Sequence, residues 1–275
     1  MRPFLFYKFL EIILKLFPFS WSLRFIPFLF KLGSSFTFQS RKVVEENLHT
    51  IGLSPSLQKN VNKVFEAFGR YLVFFLSPFR FKEYWIKQIQ VQGLDHLKRA
   101  YNERRGVIIL SSHLGNWEMA VHKTLKMGLE VSAVFSEHLN PQLETLFSRH
   151  RKREGLSVIS WKKDATTQCL QALRKGRLLA IAGDIDFTKT GVDTIFFGKK
   201  TKIPKGPIVL AKRTGALIVP GGYLWNERGG DLFFDEAIDP KGLSEEELGA
   251  RVTRALEKMI CLDPTQWLCF ERVWK

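Results

Sequence analysis

The residues best placed to do chemistry are His113 and Glu118, with four residues between them in the stretch GVIILSSHLGNWEMAVH at 106–122. An imidazole titrates near neutrality, so one ring nitrogen can take a proton from a substrate hydroxyl. A carboxylate on the other nitrogen holds the ring, fixes its tautomer and stabilises its charged form. Across a strand-to-helix turn this spacing lets both side chains face one pocket. Spacing alone is weak, because a histidine near a glutamate is more often an ordinary hydrogen-bonded pair. Ser111 and Ser112 precede the histidine without forming a Gly-Xaa-Ser-Xaa-Gly elbow, so they read as strand-end residues rather than nucleophiles. Glu118 and His122 stand four apart on one predicted helix and, with His113, compose a rival zinc set. No further ligand group is evident, and no metal is expected.

Other groups carry two readings each. Arg149, Arg151 and Arg153 form a basic run whose competing reading is a solvated helix face. Lys199, Lys200, Lys202 and Lys205 suit phosphate binding or a charged loop equally. Asp184 and Asp186 can hydrogen-bond a sugar hydroxyl or one of these cations, or simply shape a turn after a strand. Cys169, Cys261 and Cys269 lack the spacing of a zinc knuckle or redox pair and read as small, reduced, buried residues.

The elements that must position these groups follow from pattern. Apolar runs at 107–110, 129–135, 157–159, 178–181, 217–220 and 232–234 read as strands, and a short one lies at 89–91. Helices are predicted at 116–127, 140–153, 165–174, 208–214 and 244–260, the last opened by a Ser244–Glu247 capping box. Asn116 is a favoured N-cap type, which places Glu118 in the first helical turn, where the helix dipole favours a carboxylate. Alternating strands and helices imply an α/β layered fold with a mostly parallel sheet flanked by helices. His113 then follows the carboxyl end of a buried strand, where ligands bind in open α/β sheets.

Residues 1–90 read as a helical, membrane-facing region and residues 91–275 as the α/β body. The chain has 275 residues, a net charge of +15 and 24 Phe. Excess cations imply an anionic partner. Phe6, Phe9, Leu10, Ile13, Leu14 and Phe17 recur at helical spacing among Lys8, Glu11 and Lys15. Pro18 ends or kinks this helix, apolar residues continue through 25–30, and the region 40–85 is helical with a break at 52–55. Charges interrupt the first segment too often for a simple spanning helix, which needs about 20 apolar residues, or for a signal peptide. An amphipathic N-terminal region lying on an anionic membrane surface remains. A nucleic-acid partner is not expected, because no such motif is found and the Phe-rich start would go unexplained.

The words around His113 carry more than their spacing. SSHLGNWE resembles the His-four residues-acid signature of the lysophospholipid acyltransferase superfamily, and most closely the branch of bacterial lipid A late (lauroyl and myristoyl) acyltransferases. That branch has Glu in the acidic position, as Glu118 is here. The resemblance runs from about residue 40 to the end, through RKVVEENL at 41–48, NPQLETLFSRHRKREG at 140–155 and AGDIDFTKTGVDTIFFGKKTKIPKGPIVLAKRTGALIVP at 182–220 to DPTQWLCFERVWK. Two positions depart from the family pattern: Ile185 where Gln is usual, and Lys205 where a small neutral residue is common.

The resemblance implies an O-acyltransferase that moves a fatty acyl group from an acyl thioester to a hydroxyl of a lipid A precursor or similar glycolipid. His113 would be the general base and Glu118 would orient it. Backbone N–H groups at Gly115 and Asn116, or an arginine such as Arg151, are candidates to hold the oxyanion or substrate. Asp184, Asp186, Lys202 and Lys205 are candidates for the acceptor. No cofactor is expected beyond the donor, acyl carrier protein or coenzyme A thioester. The implied place is the inner (cytoplasmic) membrane, with the site facing the cytoplasm. The alternatives are a lysophospholipid acyltransferase using acyl-coenzyme A and a non-catalytic protein that binds lipid or nucleic acid.

Overall fold

The computed structural model describes residues 2–54, 56–136, 140–153, 155–161 and 164–274. Pro55, part of the expected break, and the side chain of Arg153 lie outside the described residues. The chain opens with two helices, α1 (Arg2–Leu16) and α2 (Phe19–Gly33), separated at Pro18 as expected. Both carry apolar residues on two sides: Leu10, Leu14, Phe19 and Ile26 are buried, while Phe9, Leu16, Trp21, Phe25 and Leu32 are exposed. After α3 (Phe38–Thr50), α4 (Leu57–Leu76) runs through the centre, and Leu72 to Leu76 are all buried in its last turn. Gly69 lets α2 close on α4, since a Cβ there would come within 2.8 Å of the Pro27 Cα. The helix α5 (Phe79–Gln88) completes this part. Among the described residues no helix is long and apolar enough to cross a membrane.

The body follows as β1 (Gln90–Gln92), α6 (Leu94–Asn102), β2 (Val107–Ser111), α7 (Trp117–Lys126), β3 (Val131–Phe135), α8 (Pro141–Arg153), β4 (Ser157–Ser160), α9 (Ala165–Arg174) and β5 (Leu178–Ala182). Then come β6 (Val192–Phe196), β7 (Lys199–Ile203), α10 (Gly206–Thr214), β8 (Leu217–Leu224), β9 (Asp231–Phe234) and α11 (Glu245–Leu262). One sheet takes the order β1-β9-β8-β2-β5-β3-β4, with only the β8–β9 pair antiparallel. The expected α/β class and mostly parallel sheet are therefore present. The Ser244–Glu247 capping box opens α11 as read from sequence.

β2 sits centrally and is buried on both faces, as its continuous apolar run requires. Val107 and Ile109 join the core shared with α1, α4 and α7, while Ile108 and Leu110 join the core under α9, α10 and α11. The first core is continuous from the N-terminal helices to the sheet.

Two elements were not expected from sequence. α6 is a short helix entered from Gly93 in the left-handed conformation, with only Leu97 and Ala100 buried. The β6–β7 hairpin turns on Phe197 and Gly198, both at positive φ, and its lysine-rich strand lacks an apolar alternation that could betray it.

α1 is pinned to the body by Glu11, the one acidic residue of that helix, which is 1% exposed. Its carboxylate meets Lys8 at 2.6 Å and Lys15 at 3.3 Å on α1, and Arg149 at 2.8 Å and His150 at 3.4 Å on α8. Burial opposes its charge, but the Lys8 hydrogen bond and the Arg149, Lys15 and Lys8 charges outweigh it and hold the carboxyl at about 2.

Candidate active site

β2 and β5 run parallel in a register that pairs Ser111 with Ala182. Gly183 donates its N–H to the Ser111 carbonyl at 2.8 Å, which carries the pairing one step further. His113 and Asp184 each stand two residues past their strand, at the carboxyl edge of the sheet, and the register brings them side by side. The Asp184 Oδ1 lies 2.9 Å from His113 Nδ1. Its Oδ2 accepts the His113 backbone N–H at 3.0 Å and the Trp267 indole N–H at 2.8 Å. The carboxylate is 0% exposed and saturated by donors.

The electrostatics follow from this geometry. Burial would raise the Asp184 pKa, but the His113 charge, the bonds from its ring and backbone, and the Trp267 N–H hold it below the usual carboxylate value. Burial would likewise lower His113, but the Asp184 charge and hydrogen bond win and raise it above the ordinary imidazole value. A quarter of the His113 side chain reaches solvent. Nδ1 belongs to Asp184, so Nε2 is the nitrogen left to take a substrate proton. The Trp117 and Phe187 rings stand edge-on to the imidazole, with centroids at 5.3 and 6.3 Å.

The expected partner of His113 is elsewhere. Glu118, in the first turn of α7, is buried and accepts the Arg151 Nε at 3.0 Å from α8. Arg151 is 6% exposed, and its guanidinium lies 3.6 Å from the Phe135 ring centroid. The two therefore form an internal ion pair between α7 and α8, and Asp184 holds the ring that Glu118 was expected to hold. The reason is directional: a first-turn side chain on α7 can turn back toward the sheet face covered by α8, whereas the β5 edge lies directly beside β2.

The turn between them is held by the end of the chain. Leu268 donates to the His113 carbonyl at 2.7 Å, and Gly115 donates to the Gln266 carbonyl at 2.8 Å. The Gly115 N–H is thus committed to the backbone and not free for an oxyanion. Gly115 has φ +60°, and a Cβ there would overlap the Tyr223 carbonyl oxygen, so only glycine fits. Asn116 caps α7 as expected, with Oδ1 accepting the Met119 N–H at 3.1 Å. Its Nδ2 is buried and has no hydrogen-bond partner among the described residues. It borders a cavity of about 10 Å³ among Arg70, Tyr71, Gly115, Trp225 and Gln266, which is room for about one water.

The remaining candidates have surroundings other than those of His113 and Asp184. Asp186 staples the turn after β5 by accepting from Thr188 at 2.6 Å and Gly191 at 2.8 Å. Lys202 pairs with Asp193 at 2.9 Å across the exposed hairpin, and Lys205 is the residue before α10. Lys199 donates to Thr50 at 3.2 Å. His122 is buried and, pressed by burial and the Lys82 and Lys126 charges, falls to about 3. Among the described residues no three His, Cys, Asp or Glu side chains are grouped to hold a metal.

Trp267 lies in the Pro-Thr-Gln-Trp ending, and no local pattern marks it as a site residue. Asp184 was named for the acceptor rather than for His113. The pairing of β2 with β5 brings Asp184 to His113, the bridge between Leu114 and Trp267 brings the indole, and neither pairing can be read from the sequence.

A phosphatidylinositol mannoside acyltransferase from Mycobacterium tuberculosis is 27% identical over 219 residues, covering 76% of this chain and 68% of its own. One from Mycolicibacterium smegmatis is 30% identical over 148 residues, or 52% of this chain and 48% of its own. A lipid A biosynthesis palmitoleoyltransferase from Escherichia coli is 26% identical over 193 residues, or 69% and 62%. The family described as bacterial lipid A biosynthesis acyltransferase matches residues 3–275, so the chain belongs to that family and is an acyltransferase.

Proposed function

We propose that the protein moves a fatty acyl group from the thioester of acyl carrier protein or coenzyme A to a hydroxyl of a membrane glycolipid, a lipid A precursor or a glycosylated phospholipid. The observation that carries this reading is the His113–Asp184 pair at the carboxyl edge of the sheet. His113 Nε2 takes the acceptor proton as the acceptor oxygen attacks the thioester carbonyl, and Asp184 holds the ring and offsets its positive charge. The tetrahedral intermediate collapses, the carbon–sulfur bond breaks, and the imidazolium returns the proton to the departing thiolate. An activated thioester needs no covalent enzyme intermediate.

The exposed apolar faces of α1 and α2, with Lys15 and Arg24 exposed among them, support an in-plane seat on an anionic bilayer. In this reading the protein works at the cytoplasmic face of the inner membrane. Detergent-purified protein would be offered labelled acyl carrier protein and acyl-coenzyme A donors, each with lipid A precursor, phosphatidylinositol mannoside and lysophospholipid acceptors. Label entering a glycolipid with wild type and not with His113→Ala is expected. Transfer only to lysophospholipid, or equal transfer by the variant, would overturn the reading.

A further inference from the structure

A groove of about 860 Å³ lies between α1, α2 and the α4 face, lined by Phe9, Ile13, Trp21, Phe25, Leu29 and Phe68 among others. That is within the size range of about 300–1,000 Å³ common for small-molecule sites. Three of its four polar side chains, Ser22, Ser34 and Thr37 but not Ser40, donate to backbone carbonyls. Ser22 donates to the Pro18 carbonyl at 3.3 Å, Ser34 to Lys31 at 2.6 Å and Thr37 to Ser34 at 3.0 Å. The groove therefore offers hydrocarbon contact and almost no hydrogen bonding, which suits a lipid tail and not a headgroup.

The groove does not open on His113. Its inner wall includes Phe68 and Phe270. From Phe68 the rings of Tyr71, Trp117 and His113 follow with centroid separations of 6.2, 4.5 and 5.3 Å. A donor acyl chain begins at the carbonyl that reacts beside His113, so it cannot start behind this aromatic wall. An acceptor lipid differs, because its tails lie far from the hydroxyl that reacts. Exposed Arg24 on α2 offers a cation to an anionic headgroup, whereas Lys15 on α1 is engaged with Glu11 at 3.3 Å.

We infer that the α1–α2 groove is the seat for the hydrocarbon tails of the acceptor lipid, a subsite separate from the place of the donor chain. The inference rests on the lipid acceptor proposed above. It makes the N-terminal helices a recognition element that draws tails out of the bilayer while the headgroup reaches the sheet edge.

Gly33 lines the groove, and a Cβ there would meet no atom within 4 Å, so a large side chain can be added without disturbing the fold. Gly33→Trp and Leu29→Glu would be compared with wild type and Gly33→Ala in mixed micelles. The acceptors would be one glycolipid headgroup carrying either two long tails or two short ones. Both blocking variants are expected to raise KM for the long-tailed acceptor at least tenfold. KM for the short-tailed acceptor, KM for the acyl thioester and kcat should stay within twofold.

A rise in the thioester KM, or a changed donor chain-length preference, would assign the groove to the donor and overturn the inference. Unchanged acceptor KM with weaker binding to anionic vesicles would also overturn it, leaving bilayer contact alone. If wild type acylates neither acceptor, the proposed function fails by itself. A phospholipid with a photoactivatable tail terminus then reads the groove directly. Adducts on α1 and α2 that Leu29→Glu abolishes support the tail site, and adducts elsewhere refute it.

Discussion

Replacing Asp184 by Asn keeps the shape of the side chain and removes what the carboxylate does. Oδ2 serves two donors, the His113 backbone N–H at 3.0 Å and the Trp267 indole at 2.8 Å, so the amide oxygen of Asn settles there. The amide NH2 must then face Nδ1, where Oδ1 now lies at 2.9 Å. A donor in that place makes Nδ1 an acceptor and forces the proton onto Nε2. The ring can then no longer take a proton from substrate. In other enzymes a tautomer reversal of this kind costs about 10⁴-fold in kcat, or about 5.4 kcal/mol at about 1.36 kcal/mol per tenfold. Because His113 is partly open to water, a loss of about 10³–10⁴-fold is expected here.

The assay is initial-rate transfer of labelled acyl group to lipid, with the folded fraction measured alongside by thermal melting. Wild-type kcat/KM should rise with pH through a limb above the ordinary imidazole value of about 6.5, because Asp184 raises His113. In the variant the residual activity should show that limb shifted down, since burial remains and the carboxylate is gone. Activity within threefold of wild type, with an unmoved limb, would refute the reasoning.

Other outcomes follow from the same geometry. Glu118→Ala leaves the buried Arg151 guanidinium unpaired, a loss of about 3–5 kcal/mol. Its melting temperature should fall by on the order of 10 °C, and its loss of activity should track that fall. Gly115→Ala should disrupt the turn, because the added Cβ overlaps the Tyr223 carbonyl. Its kcat should drop at least tenfold, while the spectroscopic signature of the sheet is kept. Glu11→Gln should lower stability by roughly 2–4 kcal/mol near neutral pH, read by denaturant unfolding. The Glu11 contribution is present above the unfolded carboxyl value of about 4.3 and is lost as pH falls toward about 2, so the two proteins should converge in acid.

The strands that matter most were legible because they are short apolar runs bounded by glycines and charges, and VIIL at 107–110 became the central strand. The Asn116 cap was legible because its geometry is local to four residues. The partner of His113 was not legible. Glu118 is near in sequence and Asp184 is 71 residues away, and only the parallel pairing of β2 with β5 makes the distant carboxylate the near one. The family words around His113 include Glu118, but words do not say which way a first-turn side chain points. Asn47, inside the recognised RKVVEENL, donates to the Cys269 and Glu271 carbonyls and anchors the terminal segment that holds the site. That long-range role leaves no periodic trace.

The most direct test of the central claim is ¹⁵N NMR of the protein labelled at histidine, with His113 assigned by comparison with His113→Gln. A ring protonated on Nδ1 and bare on Nε2 at high pH is expected, titrating above the ordinary imidazole value, with both features lost in Asp184→Asn. An Nε2-protonated ring in wild type, or a titration unmoved by Asp184→Asn and moved by Glu118→Gln, would contradict it.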